Sequence, residues 1–504
     1  MILGHLCDEA MRIETLLQVI QPLTVRGPQS ADILSIAMDS RRVKPGALFV
    51  ALPGRKVDGD RFVDEAVARG AVAIVSQHGV KMRNDVALVI VEDARRALAE
   101  IACAFYDHPS SRLDLVGVTG TNGKTTTTFM LRDLLRASGR HPGLIGTVVY
   151  EMGARRILAD RTTPEAPDIQ FLLDQMLQAG CDSAVMEVSS HALDQKRVWG
   201  VDFNVAVFTN LTQDHLDYHE SFERYFAAKA SLFRGLGQMQ KAATAVINLD
   251  DPWGQRLASI GGSWSECVTY GVHPAAGVRA SDLEVGIAGS TFRVDSPWGR
   301  VQVKLHVLGR FNVSNALAAF SAGGALGLDP ETMATALAGF ESAPGRLEEI
   351  RSPRPFRVFV DYAHTEDALC NVLTTLRELT GRRLIVVFGC GGDRDRTKRP
   401  LMGEAAARLA DLTVLTSDNP RSEDPETILK EIRSGMPAQA AVEMIVDREA
   451  AIARALDQAD SGDLVLIAGK GHESCQIFAH NVIPFDDREV ARRLLESRGG
   501  HARI

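Results

Sequence analysis

The chain reads as an α/β protein of three domains: an N-terminal domain, a central parallel-sheet domain of P-loop type carrying an antiparallel hairpin region, and a C-terminal Rossmann-like domain. Three observations predict this. The 504 residues amount to about three domains at roughly 150 residues each. Short apolar runs alternate with helical patterns and end in polar clusters, the pattern of parallel strands whose carboxyl ends hold ligands. One of these units, LVGVTGTNGKTTTTFMLRDLL (115–135), places strand, glycine-rich turn and helix in the order that cradles a phosphate.

The N-terminal domain is placed at 1–112. ALFVALPG (47–54) and AVAIVSQ (71–77) read as strands around the helical pattern FVDEAVARG, and AFYDHPSSRLD, with Pro109 and two serines, marks the boundary. The central domain is placed at 113–345. SAVMEVSSH, FNVAVFTNLTQDH and AVINLDD are strands that end in polar residues, and STFRVDSPWGRVQVKLHV alternates across a Pro-Trp-Gly turn as a hairpin does. The C-terminal domain is placed at 346–504. FRVFVDYAH, RLIVVFGCGGDRD, LTVLTSDNPR and DLVLIAGKGHE each begin apolar and end polar, which brings the number of such strand ends to seven.

Bulk properties narrow the function. A net charge of −8 gives no electrostatic footprint for nucleic acid or an anionic membrane. The longest uncharged run, 311–328, carries Asn312, Ser314, Asn315 and several glycines, so it reads as a capped helix of a soluble protein. The start, MILGHLCDEAMRIETLL, lacks a basic segment and is interrupted by Asp8 and Glu9, unlike a secretion signal. Cys7, Cys103, Cys181, Cys267, Cys370, Cys390 and Cys475 form no CxxC pair and are expected as buried single thiols in a reducing cytoplasm.

The phosphate loop departs from the general template. Val118 stands where a P-loop has its first glycine, and the nearest glycine is displaced to give Gly120-Thr121-Asn122-Gly123-Lys124-Thr125. Lys124 supplies a point charge to a triphosphate and Thr125 a magnesium ligand. Glu187, directly after a hydrophobic strand, suits a magnesium ion and its water, the bland alternative being a helix cap or a solvated turn. His215, among Asp214, Asp217 and His219, could ligate a metal or be merely hydrogen-bonded. Lys229 lies on the helical face defined by Phe222, Tyr225, Phe226 and Phe233; it either snorkels to water or is desolvated with a lowered pKa. A neutral amine there could take up carbon dioxide and become an anionic oxygen ligand. Asn312 and Asn315 near a helix start suggest caps, while Arg346, Asp361 and His364 are open between structure and nucleotide contact. Arg394, Asp418, Asn419, Arg421, Gly469 and Glu473 sit at three strand ends. Two arginines can fork onto a carboxylate and two carboxylates can hold an ammonium, so an amino acid is the ligand they fit.

With those residues assembled, the chain resembles the Mur ligase family, ATP-dependent amino-acid ligases of peptidoglycan synthesis. The resemblance rests on GTNGKTT, MEVSSH, TNLTQDHLDYH, the lysine of FAAKASLF, GRFNVSNALAA and DYAHTEDAL, and extends from DSRRVKPGALFVALPG to the last strand. GCGGDRDRTKRPLMG, DNPR and GKGHE resemble the members that add the third residue of the stem peptide. The resemblance implies a cytoplasmic, monomeric ligase with no membrane insertion and no nucleic-acid partner. Its substrates would be ATP, UDP-MurNAc-L-Ala-D-Glu and meso-diaminopimelate, with Mg2+ as cofactor. It implies nucleotide contacts from Gly120, Thr121, Asn122, Gly123, Lys124, Thr125, Thr126, Asn312, Arg346 and Asp361. Thr125 and Glu187 would hold one magnesium ion, and His215 with Lys229 as N6-carboxylysine a second. Lys124, Glu187, His215 and Lys229 would be the catalytic set. Met38, Ser40, Arg55, Lys56, Val57, Thr162, Thr163, Ser189, Gln195 and Arg197 would bind the uridine nucleotide with its dipeptide. Arg394, Asp418, Asn419, Pro420, Arg421, Gly469 and Glu473 would bind diaminopimelate, the arginine of DNPR forking onto the distal carboxylate that lysine lacks. Glu366 departs from the proline usual at its position, and Met38, Arg55 and Lys56 differ from common choices. The alternatives are a lysine-adding homologue, a folylpolyglutamate synthase-like ligase and, from another class, a P-loop ATPase switch.

Overall fold

The computed structural model describes residues 10–54, 57–80 and 84–498. Three sheets follow one another along the chain, each with its own core. In the N-terminal sheet the strands Ser35–Ala37, Ala47–Val50, Ala71–Ser76 and Ala87–Ile90 run parallel, with Thr24–Arg26 antiparallel at the edge. Asp93 caps the Ala94–Phe105 helix by accepting from Arg95 and Arg96 N–H groups, and the apolar stripe of that helix closes the core.

The central sheet has eleven strands. Its first strand in chain order, Asp114–Thr119, lies between Ser183–Glu187 and Val205–Phe208, all parallel, and Pro142–Ile145 and Thr244–Asn248 flank them. The chain moves to one side of that strand and then to the other. The loops after these strands therefore open into one crevice, the position where open α/β sheets take ligands. At the far edge Gly289–Ser296 and Gly299–Leu305 form the expected hairpin, its turn at Pro297 and Trp298. The Lys124–Ala137 helix buries Phe129, Met130, Leu131, Leu134 and Leu135 against the Arg310–Ala325 helix and the sheet. Each such side chain contributes about 1.5–3 kcal/mol, which offsets the roughly 1–2 kcal/mol per residue of backbone ordering.

The C-terminal sheet runs Glu348–Ile350, Arg357–Asp361, Leu464–Ala468, Leu384–Phe388, Leu412–Leu415, Val442–Met444, parallel except for the first. Leu464–Ala468 enters between strands that precede it in the chain, so its loop meets theirs at a second switch point.

Three expectations need correction. Asn312 and Asn315 do not cap: Gly309 precedes the helix without a side-chain cap, and both asparagines lie inside it and are buried. Asn312 Nδ2 instead donates to Leu308 O at 2.8 Å and Asn315 Nδ2 to Asn312 Oδ1 at 3.0 Å. The thiols are not uniformly buried, since Cys267 is exposed and Cys370 and Cys475 half-buried; Cys7 lies outside the described residues. Finally, the polar end of Thr244–Asn248 is a brace. Asn248 Nδ2 donates to Thr209 O at 2.7 Å, and Asp251 accepts from Leu211 N at 3.1 Å while capping the next helix. None of the helices among the described residues is long and apolar enough to cross a membrane.

Candidate active site at the seam of two domains

The phosphate loop is built by close approach. Gly120 (φ +151°) and Gly123 (φ +86°) leave no room for a side chain: a Cβ would fall 1.8 Å from Thr209 Oγ1 and 2.3 Å from Asn315 Oδ1, respectively. Thr209 Oγ1 donates to Asn122 O at 2.6 Å and Asn210 Oδ1 accepts from Asn122 N at 2.9 Å, so the neighbouring strand end holds the loop's shape. Thr125 and Thr126 open the helix behind it. Lys124 Nζ donates to the carbonyls of Gly120 at 2.9 Å and Thr121 at 2.8 Å. Burial lowers its pKa from the ordinary lysine value.

Lys229 does not snorkel. It is 1% exposed, and its Nζ lies 4.5 Å from the Tyr225 ring centre and 2.7 Å from the same Gly120 carbonyl. Burial, then the charge of Lys124, push it well below the usual lysine range, which favours the neutral amine. Tyr225 Oη is 3.0 Å from Thr121 Oγ1 and ties this helix to the loop.

Glu187 ends its strand fully buried and is not a cap; Ser189 caps the following helix. Its Oε1 accepts from Thr147 N at 2.8 Å, and its Oε2 accepts from Thr147 Oγ1 at 2.9 Å and Thr125 Oγ1 at 3.0 Å. Adjacent ligands of an octahedral magnesium ion with bonds of about 2.1 Å stand roughly 3 Å apart. The hydroxyl–carboxylate pair of Thr125 and Glu187 therefore fits that ion. His215, in left-handed backbone, has Nε2 3.4 Å from Asp214 Oδ2 and its ring 4.7 Å from that of His191. Burial lowers its pKa, and it brings His191 down to about 4. Lys229 as an amine offers no oxygen beside His215; a carboxyl group on its Nζ would. Among the described residues, Asp58, Asp60 and His78 of the N-terminal domain form a group with metal-ligand spacing, and none of them was expected as a ligand.

The C-terminal domain supplies the opposite wall. Arg346 lies over the Tyr362 ring at 4.5 Å and its Nη2 donates to Thr125 Oγ1 at 3.2 Å. Asp361 accepts from Leu347 N at 2.6 Å and Ala363 N at 2.8 Å, and burial raises its pKa. His364 Nδ1 lies 2.9 Å from Tyr362 O. A cleft of about 380 Å³ lies between the domains, with Lys124, Glu187, Asn312, Arg346 and Asp361 on its walls.

Further along the seam, Thr162 Oγ1 lies 3.1 Å from Thr147 Oγ1, and Thr163 Oγ1 donates to Glu187 O at 2.7 Å and accepts from Ser189 N at 3.0 Å. Arg197 donates to Thr163 O at 2.9 Å and Gln195 Oε1 at 2.7 Å. The nearly buried Glu165 is met by Arg161 at 2.5 Å, Arg197 at 3.1 Å and Arg95 at 3.9 Å, a surplus of positive charge that suits an anionic ligand.

The amino-acid cluster assembles from all three strand ends. Asn419 Nδ2 donates to Glu473 Oε2 at 2.8 Å, and the fully buried Lys470 bonds Asn419 Oδ1 at 3.1 Å and Glu473 Oε2 at 3.0 Å. Gly469 (φ +111°) lets Asp418 approach, since a Cβ would meet its Oδ2 at 2.7 Å. Arg421, following the buried Pro420, donates to Gly392 O at 2.7 Å, and both it and Arg394 flank Gly391. Arg399 underpins these loops through Glu423 and Glu431.

The uridine set is not joined to this seam. Ser40 Oγ donates to Glu65 Oε2 at 2.7 Å inside its own domain, Val57 is exposed, and Met38 lines a small cleft shared with Pro167 and Asp168 of the central domain. Arg55 and Lys56 lie outside the described residues. Sequence reasoning missed Thr147, Asp367, Lys470 and His472. GLIGT was an eighth apolar run with a polar end, and Lys470 and His472 stood inside GKGHE, but no sequence spacing marks Asp367 as a partner of Asn122.

Family models match the chain over most of its length: the Mur ligase family, catalytic domain, at residues 32–106; the Mur ligase middle domain at 118–323; and the Mur ligase, glutamate ligase domain at 345–471. A relative from Geobacillus kaustophilus (strain HTA426), named UDP-N-acetylmuramoyl-L-alanyl-D-glutamate–2,6-diaminopimelate ligase, is 48% identical over 97% of this chain and 100% of its own. One of the same name from Geobacillus thermodenitrificans (strain NG80-2) is 47% identical over 97% and 100%. A solved structure of a protein with that name is 34% identical, covers 98% of this chain and 100% of its own, and superimposes with a TM-score of 0.70.

Proposed function

The chain belongs to the Mur ligase family, and from that premise we propose that it joins meso-2,6-diaminopimelate to the D-glutamate γ-carboxylate of UDP-N-acetylmuramoyl-L-alanyl-D-glutamate at the expense of ATP, a step of peptidoglycan synthesis, in the cytoplasm. The observation that carries the reading is one seam. A phosphate loop with its Thr125–Glu187 pair faces a C-terminal wall of Arg346, Asp361 and Tyr362, and a cluster of two arginines, two carboxylates and Lys470 stands in the same domain.

The γ-carboxylate attacks the γ-phosphate of ATP, ADP leaves, and an acyl phosphate forms. The amine of diaminopimelate then attacks that carbonyl, and phosphate leaves the tetrahedral intermediate. Such chemistry needs position and charge neutralisation more than a nucleophile of the protein. The N–H groups of 120–126 cradle the phosphates, and Lys124 exchanges two carbonyls for phosphate oxygens. Asn312, Arg346 and Asp361 hold the rest of the nucleotide against the C-terminal wall. Thr125 with Glu187, and His215 with N6-carboxylated Lys229, would hold magnesium, which when bound neutralises charge developing on the transferred phosphoryl group. Thr162, Thr163, Ser189, Gln195 and Arg197 orient the dipeptide, with Met38, Ser40, Arg55, Lys56 and Val57 toward its uridine end. Arg394, Asp418, Asn419, Pro420, Arg421, Gly469 and Glu473 receive diaminopimelate.

The test is phosphate release from ATP with the UDP-linked dipeptide and either meso-diaminopimelate or L-lysine. Release should require the amine and favour diaminopimelate. Arg421→Ala should cut kcat/KM for diaminopimelate about 10- to 100-fold, the range of a lost charge-assisted bond, while leaving the poor rate with lysine nearly unchanged. Equal release without an amine would overturn the ligase reading, and a preference for lysine would overturn the role of Arg421.

A further inference from the structure

An amine that forms an amide arrives as an ammonium and attacks as a free base, so a proton has to leave before the bond forms. Several of the groups described so far are already charged or engaged. Lys124 donates to the Gly120 and Thr121 carbonyls, Arg346, Arg394 and Arg421 are cations, Glu187 is engaged by Thr125 and Thr147, and Glu473 by Asn419 and Lys470.

His472 stands between Gly469 and Glu473 and reaches across the seam. Its backbone crowds Gly345, where a Cβ would fall 2.2 Å from His472 N. Its ring lies 5.1 Å from that of Tyr362 and beside the backbone of Thr147, the residue whose N–H and hydroxyl hold Glu187. It thus links the amino-acid loop to the place where the acyl phosphate forms. Its Nδ1 is shielded from solvent and has no hydrogen-bond partner among the described residues. Unsatisfied buried polar atoms are rare and mark sites that await a ligand or a proton.

We propose that His472 is a catalytic residue whose imidazole accepts the proton of the incoming ammonium as that amine is presented to the acyl phosphate. This deepens the ligase reading and rests on it. The ammonium N–H bond breaks and leaves its electron pair on nitrogen, and the proton passes to the imidazole. That pair attacks the acyl carbon, and the bond from carbon to the phosphate oxygen breaks with its electrons leaving on phosphate. The imidazolium returns its proton to the departing phosphate, which restores the neutral ring, and the nitrogen, now bonded to carbon, releases its second proton to solvent to give the neutral amide.

The surroundings fit this timing. Arg346 and Arg488 face the ring, Asp486 and Glu348 partly offset Arg488, and Tyr362, Glu473 and, beyond Thr147, Glu187 complete the setting. Burial, with the two arginines, holds the pKa down to about 3, so the ring stays unprotonated while the site lacks its anions. Acyl phosphate placed against Arg346 cancels that field and makes the ring a stronger base when the amine is present.

The test compares two nucleophiles on His472→Gln: diaminopimelate, which arrives protonated, and hydroxylamine, which is already uncharged near neutral pH. Ligation of diaminopimelate should lose about 100-fold or more in kcat with its KM changed only a few-fold, the scale of general-base catalysis. Hydroxamate formation, trapped from the acyl phosphate, should stay within about threefold. The gap with diaminopimelate should narrow at alkaline pH, where free amine is supplied by solvent. Equal losses with both nucleophiles, an unchanged kcat, or an effect confined to KM would overturn the proposal. His472→Asn serves the same comparison if the glutamine variant does not fold. Failure of the unsubstituted chain to form ADP and hydroxamate from the UDP-linked dipeptide would overturn the ligase reading instead.

Discussion

A lysine inside a protein keeps its charge only where something replaces its hydration. Lys229 has the Gly120 carbonyl and the face of Tyr225, and Lys124 donates to that same carbonyl. The two amines share one acceptor, and burial with the charge of Lys124 lowers the pKa of Lys229 well below the usual lysine range. In the proposed site the neutral Lys229 amine takes up carbon dioxide, and the resulting carboxylate would face His215 and the phosphates. Lys229→Ala is therefore expected to lower ligation by at least about 100-fold, as for the loss of a group stabilising charge at the reacting phosphate. Formate or acetate, filling the gap with an oxygen ligand, should restore part of it. A variant that no short carboxylate rescues, together with a side-chain mass lacking the added carboxyl in metal-bound protein, would sink this role. The placement of Lys229 among aromatics was legible from spacing alone, because i+3 and i+4 neighbours share a helix face. That its amine meets Gly120, 109 positions away, was not.

At the level of elements, local rules account for most of what is seen. Asp93, Ser189, Ser221, Asp251, Thr365 and Asp424 each cap the helix that follows them. Glu366, the departure in DYAHTEDAL, turns out to be the first residue of the Glu366–Leu379 helix. Proline is favoured there because no N–H bond is lost, and a carboxylate is favoured there by the helix dipole, so the exchange leaves the loop intact. The loops of the amino-acid cluster depend on a less local device. Glu423 accepts from Arg399 at 2.9 Å with both oxygens, and this pulls its pKa down to about 2 from an ordinary 4.5. A carboxylate whose folded pKa is depressed adds stability that is fully present above its unfolded value and is lost as pH falls through the folded one. Glu423→Gln should thus lower the unfolding midpoint at neutral pH by about 3 °C, with the gap closing between pH 4.5 and 2. A difference that persists unchanged to the acid end would mean that the glutamine acts through packing instead.

Across the whole molecule, what makes one site of two domains is a short set of contacts. Asp367 Oδ2, in the first turn of a C-terminal helix, accepts from Asn122 Nδ2 at 3.0 Å and Thr212 Oγ1 at 3.0 Å, while Arg346 reaches Thr125. These bonds hold the C-terminal domain against the phosphate loop. Asp367→Ala should raise the KM for ATP about 10-fold, the worth of two bonds to a carboxylate discounted for partial exposure. It should also broaden the solution-scattering profile of the ligand-free chain. An unchanged KM with an unchanged profile would show that the seam is held by other means.

The amino-acid order by itself determined the architecture and the kind of chemistry, since apolar periodicity, glycine turns and the phosphate loop are local properties read over a few residues. Seven strand ends were legible in this way, and one of them, after Thr244–Asn248, is spent on a brace. Tertiary structure alone decided which polar groups are spent on structure and which remain for substrate. It made Asn248 and Asp251 a brace, buried Asn312 and Asn315 within a helix, added Thr147, Asp367 and Lys470, and left His472 Nδ1 unpartnered. The reason is physical: a hydrogen bond is settled by whatever lies within about 3 Å, and for these residues the partner comes from a distant part of the chain.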